Sequence, residues 1–221
     1  MRRQYAFPAA ILGIAAIVAI VVIIANSGGG GGGSSAGKGC QKVAAPQPRQ
    51  VQRQRPPRLR LDPAKTYTAT VSTSCGTFVM KLDAKEAPKT GGSFVSLVRK
   101  KFYDGLGFHR IAPGFVIQGG DPAGDGSGGP GYKVRERPPD NVVYSEGVVA
   151  MAKAGNEPAG TSGSQFFVVT GQDAKLPPDY ALLGQVTQGL DTVHRIEDLG
   201  SSTDGPPKQP VVIKTITVAE G

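Results

Sequence analysis

From residue 66 onward apolar and polar positions alternate in short runs broken by glycine and proline. Tyr67-Thr68-Ala69-Thr70-Val71-Ser72-Thr73, a break at Cys75-Gly76, and Thr77 to Leu82 predict a β-hairpin. Pro88-Lys89-Thr90 opens a helix in which Phe94, Leu97 and Val98 form an i, i+3, i+4 stripe, ending near Lys100-Lys101. Further β runs are expected at 147–152, 165–170, 181–186 and 211–218, with a second short helix over 190–196. Many short strands and two helices on one chain predict a mainly β fold, a closed antiparallel barrel with capped ends.

The densest chemistry lies in FHRIAPGFVIQGGD, residues 108–121, read as two short strands around a turn at Pro113-Gly114. Strand alternation puts Arg110 and Ala112 on one face and Ile111 on the other. After the turn, Phe115 and Ile117 alternate with Val116 and Gln118, so a fixed cation, an aromatic ring and an amide can converge. Gly163-Ser164-Gln165-Phe166-Phe167 repeats the theme on a later strand.

These two motifs, in this order, resemble the cyclophilin family of peptidyl-prolyl cis-trans isomerases, and the likeness runs from about Thr66 to Val218. The resemblance implies an eight-stranded antiparallel barrel closed by two helices. It implies Arg110 as the catalytic residue, with Phe115, Val116, Phe167 and Leu176 lining a pocket for the proline ring. Gln118 and Gln165 match polar contacts to the substrate backbone. Met151-Ala152-Lys153-Ala154 matches the edge that pairs with the peptide, Ala152 facing the residue ahead of proline and Lys153 beside it. Tyr180 stands where many members carry histidine, and Lys175 precedes Leu176 where the best-known members have tryptophan. That tryptophan is associated with cyclosporin binding, so weaker inhibition is the expectation here.

The implied reaction needs no cofactor and no metal. Rotation about an X–Pro bond faces a barrier of ~18–20 kcal/mol because the amide is resonance-stabilised. A catalyst must hold the twisted amide, whose nitrogen has regained its lone pair, better than the planar one. A guanidinium aimed at that nitrogen does this, and its charge and rigid fork suit it better than an ammonium. Expected partners are proline-containing segments of folding proteins, bound by a monomer. A non-catalytic docking or chaperone module using the same pocket is the alternative.

Charge and hydropathy divide the chain. No acidic residue precedes Asp62, whereas nine of the 25 basic residues do, leaving 16 basic against 17 acidic residues beyond. The net charge of +8 therefore belongs to the N-terminal part, and a nucleic-acid-binding domain is not expected. Residues 5–25 carry no charge, and about twenty apolar residues span a ~30 Å hydrocarbon core. Their length favours an uncleaved anchor over a signal peptide. Arg2 and Arg3 ahead of it direct the remainder outside the cytoplasmic membrane.

Three segments are expected: a cytoplasmic N-terminus and transmembrane anchor over 1–25, a glycine-rich then proline- and arginine-rich disordered linker over 26–65, and the isomerase-like domain over 66–221. Five arginines between Arg49 and Arg60 suit either an anionic surface or a self-repelling spacer. Cys40 and Cys75 are the only cysteines, one in the linker and one in the first hairpin. They are read as two thiols that do not meet, with a disulfide as the alternative outside the cytoplasm. Gly124 to Gly129 matches GxGxxG without a following helix, and His109 and His194 lie far apart, so neither nucleotide nor metal chemistry is expected.

Overall fold

A computed structural model describes residues 39–221; the expected anchor over 1–25 lies outside them, and among the described residues no helix is long and apolar enough to cross a membrane. In chain order the described elements are β1 (Tyr67–Thr73), β2 (Gly76–Leu82), α1 (Pro88–Arg99), β3 (Gly107–Ala112), β4 (Val116–Asp121), β5 (Val134–Arg135) and β6 (Val148–Met151). They continue with β7 (Thr161–Ser162), β8 (Phe166–Val169), β9 (Leu182–Gln188), α2 (Leu190–Glu197) and β10 (Ile213–Glu220). Eight strands form one antiparallel sheet in the order β10-β1-β2-β9-β6-β8-β4-β3, and β5 pairs with β7 beside it. The pair β5–β7 had no signal in the hydropathy pattern, because two-residue strands are too short to show a period.

The sheet curls until β3 and β10 approach, but no ladder joins them. The expected closed barrel is corrected to a curled sheet whose seam holds isolated bridges at Gly107–Val212 and Ile111–Gly205. The physical reason lies in Pro206, Pro207 and Pro210, which supply no N–H to the approach to β10.

Two-residue periodicity sorts the strands onto two faces. Ile111, Ile117, Phe166, Val168, Val149 and Met151 point inward with Phe78, Met80, Phe94 and Phe108. Ala112, Val116, Phe167, Val169, Val148 and Ala150 point outward and form a second apolar cluster. Phe108 and Arg110 are two apart and would share a face in a regular strand. The register slips between them, so His109 is the extra residue of a bulge; Phe108 stays in the core and Arg110 turns out.

The expected disordered linker is corrected over its described part. Residues 39–61 run as an extended strap against the domain. Gln41 N–H donates to Ser74 O (2.8 Å), Arg49 N–H to Pro122 O (2.7 Å), Gln54 N–H to Gly131 O (3.1 Å) and Leu61 N–H to Pro88 O (2.9 Å). Leu61 is 3 % exposed within the main core. A Cβ at Gly92 in α1 would collide with Leu59 O, and one at Gly131 with Gln52 O. Those glycines make room for the strap's backbone. The two thiols also meet: Cys40 and Cys75 form a disulfide that fastens the start of the strap to the β1–β2 turn. Composition hid this, because a polar strap satisfies its backbone on the domain and needs little apolar content of its own.

Candidate functional site

Four strands place the central row. Arg110 on β3 lies opposite Gln118 on β4, Gln118 opposite Phe167 on β8, and Phe167 opposite Ala150 on β6. Partners in register share a face, so this row and the one above it, Ala112, Val116 and Val169, make a continuous outward surface. Against it stands the loop carrying Leu176 and Tyr180. The result is a cavity of about 140 Å³ lined by Arg110, Phe115, Val116, Gln118, Ala152, Lys153, Phe167, Leu176 and Tyr180.

Ligand sites for small molecules usually measure ~300–1,000 Å³, so this cavity is sized for a single side chain. Gln165, the remaining residue expected at the site, lies one step away. It lines a second depression of about 370 Å³ that shares Gln118, Ala152 and Lys153 with the first. Lys175 is exposed, in left-handed backbone (φ 49°), and does not line the cavity. A larger open depression of about 790 Å³ lies between residues 63–66, residues 81–85 and β9. Its polar side chains, Lys65, Lys81, Asp83, Lys85 and Gln185 among them, are joined to one another by no side-chain-to-side-chain hydrogen bond among the described residues, so size alone does not mark the site.

The polar wall is one hydrogen-bonded chain. Gln165 Nε2 donates to Gly126 O and Gly128 O, both at 2.8 Å, which turns its Oε1 toward Gln118 Nε2 (2.9 Å). Gln118 must then offer Oε1 to Arg110 Nη1 (2.9 Å). Each amide's orientation follows from its donors and acceptors. The guanidinium's other edge is held by Asp204: Nε donates to Oδ1 at 2.8 Å and Nη2 to Oδ2 at 2.6 Å, a two-pronged pair. Of five N–H donors, one on each Nη remains for a ligand. Arg110's hydrogen bond holds the Asp204 carboxyl below its ordinary pKa, with burial opposing and the arginine's charge adding to the effect.

Packing holds the apolar wall. Phe167 and Tyr180 meet edge-on at 5.4 Å, and Tyr144 packs behind both at 6.4 and 6.2 Å. The Tyr144 hydroxyl donates to Tyr180 O (2.6 Å) and accepts from Tyr180 N–H (3.1 Å). Burial pushes that phenol up to about 12. Lys153 keeps its ammonium 5.5 Å from the Tyr180 ring centre and donates to Glu157 O (3.1 Å), so it ties the 153–157 loop to the wall. Phe115 enters from the Pro113-Gly114 turn, where Gly114 N–H donates to Glu197 Oε1 (2.7 Å) and Thr170 Oγ1 to the same oxygen (2.6 Å).

Asp204 and Glu197 are the supporting residues that sequence reading missed. Asp204 lies 94 residues from Arg110 in a Ser-Gly-Pro loop outside both motifs, and Glu197 reads as an ordinary helix-end acid. His109, beside Arg110, has both ring nitrogens buried without a partner, and burial lowers its pKa. It is therefore a neutral bulge residue at neutral pH.

Comparison with known proteins agrees in extent and kind. The family model for cyclophilin-type peptidyl-prolyl cis-trans isomerases matches residues 68–218. Peptidyl-prolyl cis-trans isomerase A of Mycobacterium tuberculosis is 36 % identical over 175 residues, covering 71 % of this chain and 94 % of that one. A peptidyl-prolyl cis-trans isomerase of Helicobacter pylori is 38 % identical over 137 residues, covering 61 % and 82 %. A Cryptosporidium parvum cyclophilin-type isomerase of known crystal structure superposes with a TM-score of 0.64 at 30 % identity, covering 70 % of this chain and 98 % of that one. The same protein has been crystallised in the presence of the dipeptide Ala-Pro. With the family matched over most of its length and these relatives beside it, the chain belongs to the cyclophilin-type peptidyl-prolyl cis-trans isomerases and is itself an isomerase of X–Pro bonds.

Proposed function

We propose that the 140 Å³ cavity takes the proline ring of a substrate and that Arg110 lowers the rotational barrier by donating to the prolyl nitrogen of the twisted amide. The observation that carries this reading is the guanidinium's position. It is fixed on two sides by Asp204 and Gln118 and keeps one N–H on each Nη free at the cavity wall. Such preorganisation acts where charge develops and needs no rearrangement during rotation. The apolar wall excludes water from the amide and strengthens that donation. Ala-Pro, supplied to the C. parvum relative's crystals, is the class of ligand meant. Gln118 and Gln165 would then meet the backbone of the substrate beside the proline.

The test is Arg110→Ala in an isomerisation assay. Loss of one preorganised charge contact lowers kcat/KM by roughly 10²–10³-fold. A folded variant with near wild-type activity would sink the mechanism. A module that merely docks proline loops would show no wild-type turnover for the substitution to remove, whereas this mechanism predicts turnover that falls in kcat while KM stays within a few-fold.

The same reading puts the domain outside the cytoplasmic membrane, tethered by residues 1–25, and acting on proteins that fold there. Its support is Arg2-Arg3 ahead of an uncharged run, together with a disulfide of the kind that persists in oxidising compartments. Protease added to spheroplasts should degrade the domain. Resistance until the membrane is lysed would contradict the orientation.

A further inference from the structure

The strap changes what surrounds the cavity. The second depression, which shares Gln118, Ala152 and Lys153 with the cavity, adjoins a third of about 600 Å³, with Ser127, Gly128 and Lys133 lining both. The strap forms that third depression's far side, contributing Arg49, Gln50, Val51 and Arg53. Its charged lining is Arg49, Arg53 and Lys133, with no acidic residue. Two of the three cations are engaged: Arg49 donates to Phe102 O (2.6 Å), and Lys133 pairs with Glu157 (2.9 Å). The nearby Asp121 carboxylate accepts the N–H groups of Ala123, Asp125 and Gly126. Arg53 is exposed and its side chain makes no hydrogen bond or ion pair among the described residues.

Arg53 is nevertheless not on a loose coil. Bonds from Arg49 N–H to Pro122 O, Gln54 N–H to Gly131 O and Gln54 Nε2 to Pro130 O (2.8 Å) bracket it on both sides. We propose that the strap is the end wall of an extended peptide groove, and that Arg53, backed by Arg49 and Lys133, selects substrates carrying aspartate or glutamate several residues from the proline. The proposal rests on the reading of the cavity as the proline site. A peptide leaving that cavity in extended form advances ~3.3 Å per residue. With the second depression adjoining both the cavity and the strap's depression, residues flanking the proline are the ones placed to meet the strap.

The experiment measures isomerisation by the full chain with NMR exchange, which needs no coupling protease with preferences of its own. Ala-Pro peptides with Gly/Ser flanks are compared with peptides bearing Asp or Glu at the third to sixth positions on one or the other side. At low salt the acidic flank on one side raises kcat/KM about fivefold, equivalent to about 1 kcal/mol. Arg53→Glu reverses the preference, and high salt erases it because exposed charges are screened. A wild-type ratio near one, or a ratio that survives Arg53→Glu, overturns the proposal. So does a ratio near one accompanied by Arg53-dependent sedimentation with phosphatidylglycerol vesicles, which would assign the cations to a membrane surface. The Arg110→Ala variant on the neutral peptide separates the two readings. If it is inactive while the wild-type ratio is one, only the strap proposal falls; if it is fully active, the cavity reading falls and takes this proposal with it.

Discussion

Phe115, Phe167, Leu176 and Tyr180 meet the cavity with side chains held by packing, whereas Arg110, Gln118 and Gln165 are held by a chain of directional bonds. In the first wall several rings share the same task, so loss of one leaves the others in place. In the second the links are in series: the orientation of Gln165 sets Gln118, and Gln118 and Asp204 together set Arg110. The packed wall should therefore fail gradually and mainly in binding. The bonded wall should fail sharply and mainly in the rate of the bound substrate.

Below the loss expected for Arg110→Ala, the largest effect is that of Phe115→Ala. Phe115 is half-buried at a turn, so its removal costs the fold less than removal of the buried Phe167. Withdrawing one apolar face from a bound ring corresponds to roughly 1.5–2 kcal/mol, or about 10- to 30-fold in kcat/KM. The loss should sit in KM, measured by saturation kinetics on a short Ala-Pro peptide. An equal or greater fall in kcat would erase the contrast between the walls.

Asp204→Asn tests the other wall. Asparagine keeps the shape but replaces one acceptor oxygen with a donor facing a guanidinium N–H, so the two-pronged grip is lost. The expected fall is about 3- to 10-fold, in kcat. Its pH dependence has a fixed sign. The Asp204 pKa is lowered from 3.8 in the folded state, so the carboxylate grip is present above that value and is lost as pH falls through the lowered one. The ratio of wild type to variant should be flat from pH 5 to 8 and shrink only in stronger acid. A rise in kcat on substitution would show instead that Asp204 holds Arg110 away from the substrate.

The same contrast explains what could be read from the chain alone. Strand alternation around Arg110, Val116, Gln118 and Phe167 is local, and two contiguous motifs carry it, so the outward face is legible in the pattern. The placing of Ala152, Lys153, Leu176 and Tyr180 beside it comes only with the family resemblance, since periodicity alone reads a pocket residue such as Leu176 as core. Asp204 was not, because a loop residue 94 positions away has no periodicity and its role depends on where the chain returns. The strap failed for a different reason. Disorder was inferred from too little apolar surface to bury, yet its order comes from backbone hydrogen bonds, Leu61 and the Cys40–Cys75 link, all supplied by pairing with a remote surface. The barrel's closure was overread, since proline positions near the seam prevent a ladder that the strand count suggested.

The smallest expected effect lies where the two walls meet, at the turn that carries Phe115. Glu197 accepts the Gly114 N–H and the Thr170 hydroxyl, and its other oxygen lies 3.0 Å from His194 Nδ1, while Glu146 sits 3.1 Å from Nε2. The hydrogen bond with Glu197 raises the His194 pKa above 6.5, against burial and with help from the charges of both glutamates. Burial works against ionisation of Glu197 too, but bonds from Thr170, His194 and Gly114 outweigh it and keep that carboxyl below its ordinary pKa. A raised imidazolium pKa means the stabilisation is fully present below about pH 6.5 and is lost as pH rises through the raised value. His194 is 39 % exposed, so the contribution is that of a screened surface pair, about 0.2–1 kcal/mol. Urea unfolding from pH 5.5 to 9 should show wild type losing that amount relative to His194→Gln, with less difference at high salt. Because the brace positions only one of several apolar side chains, KM should change less than twofold over the same range. Parallel stability curves for the two proteins would remove the histidine from the brace and leave Glu197 to hold the turn through Gly114 and Thr170 alone.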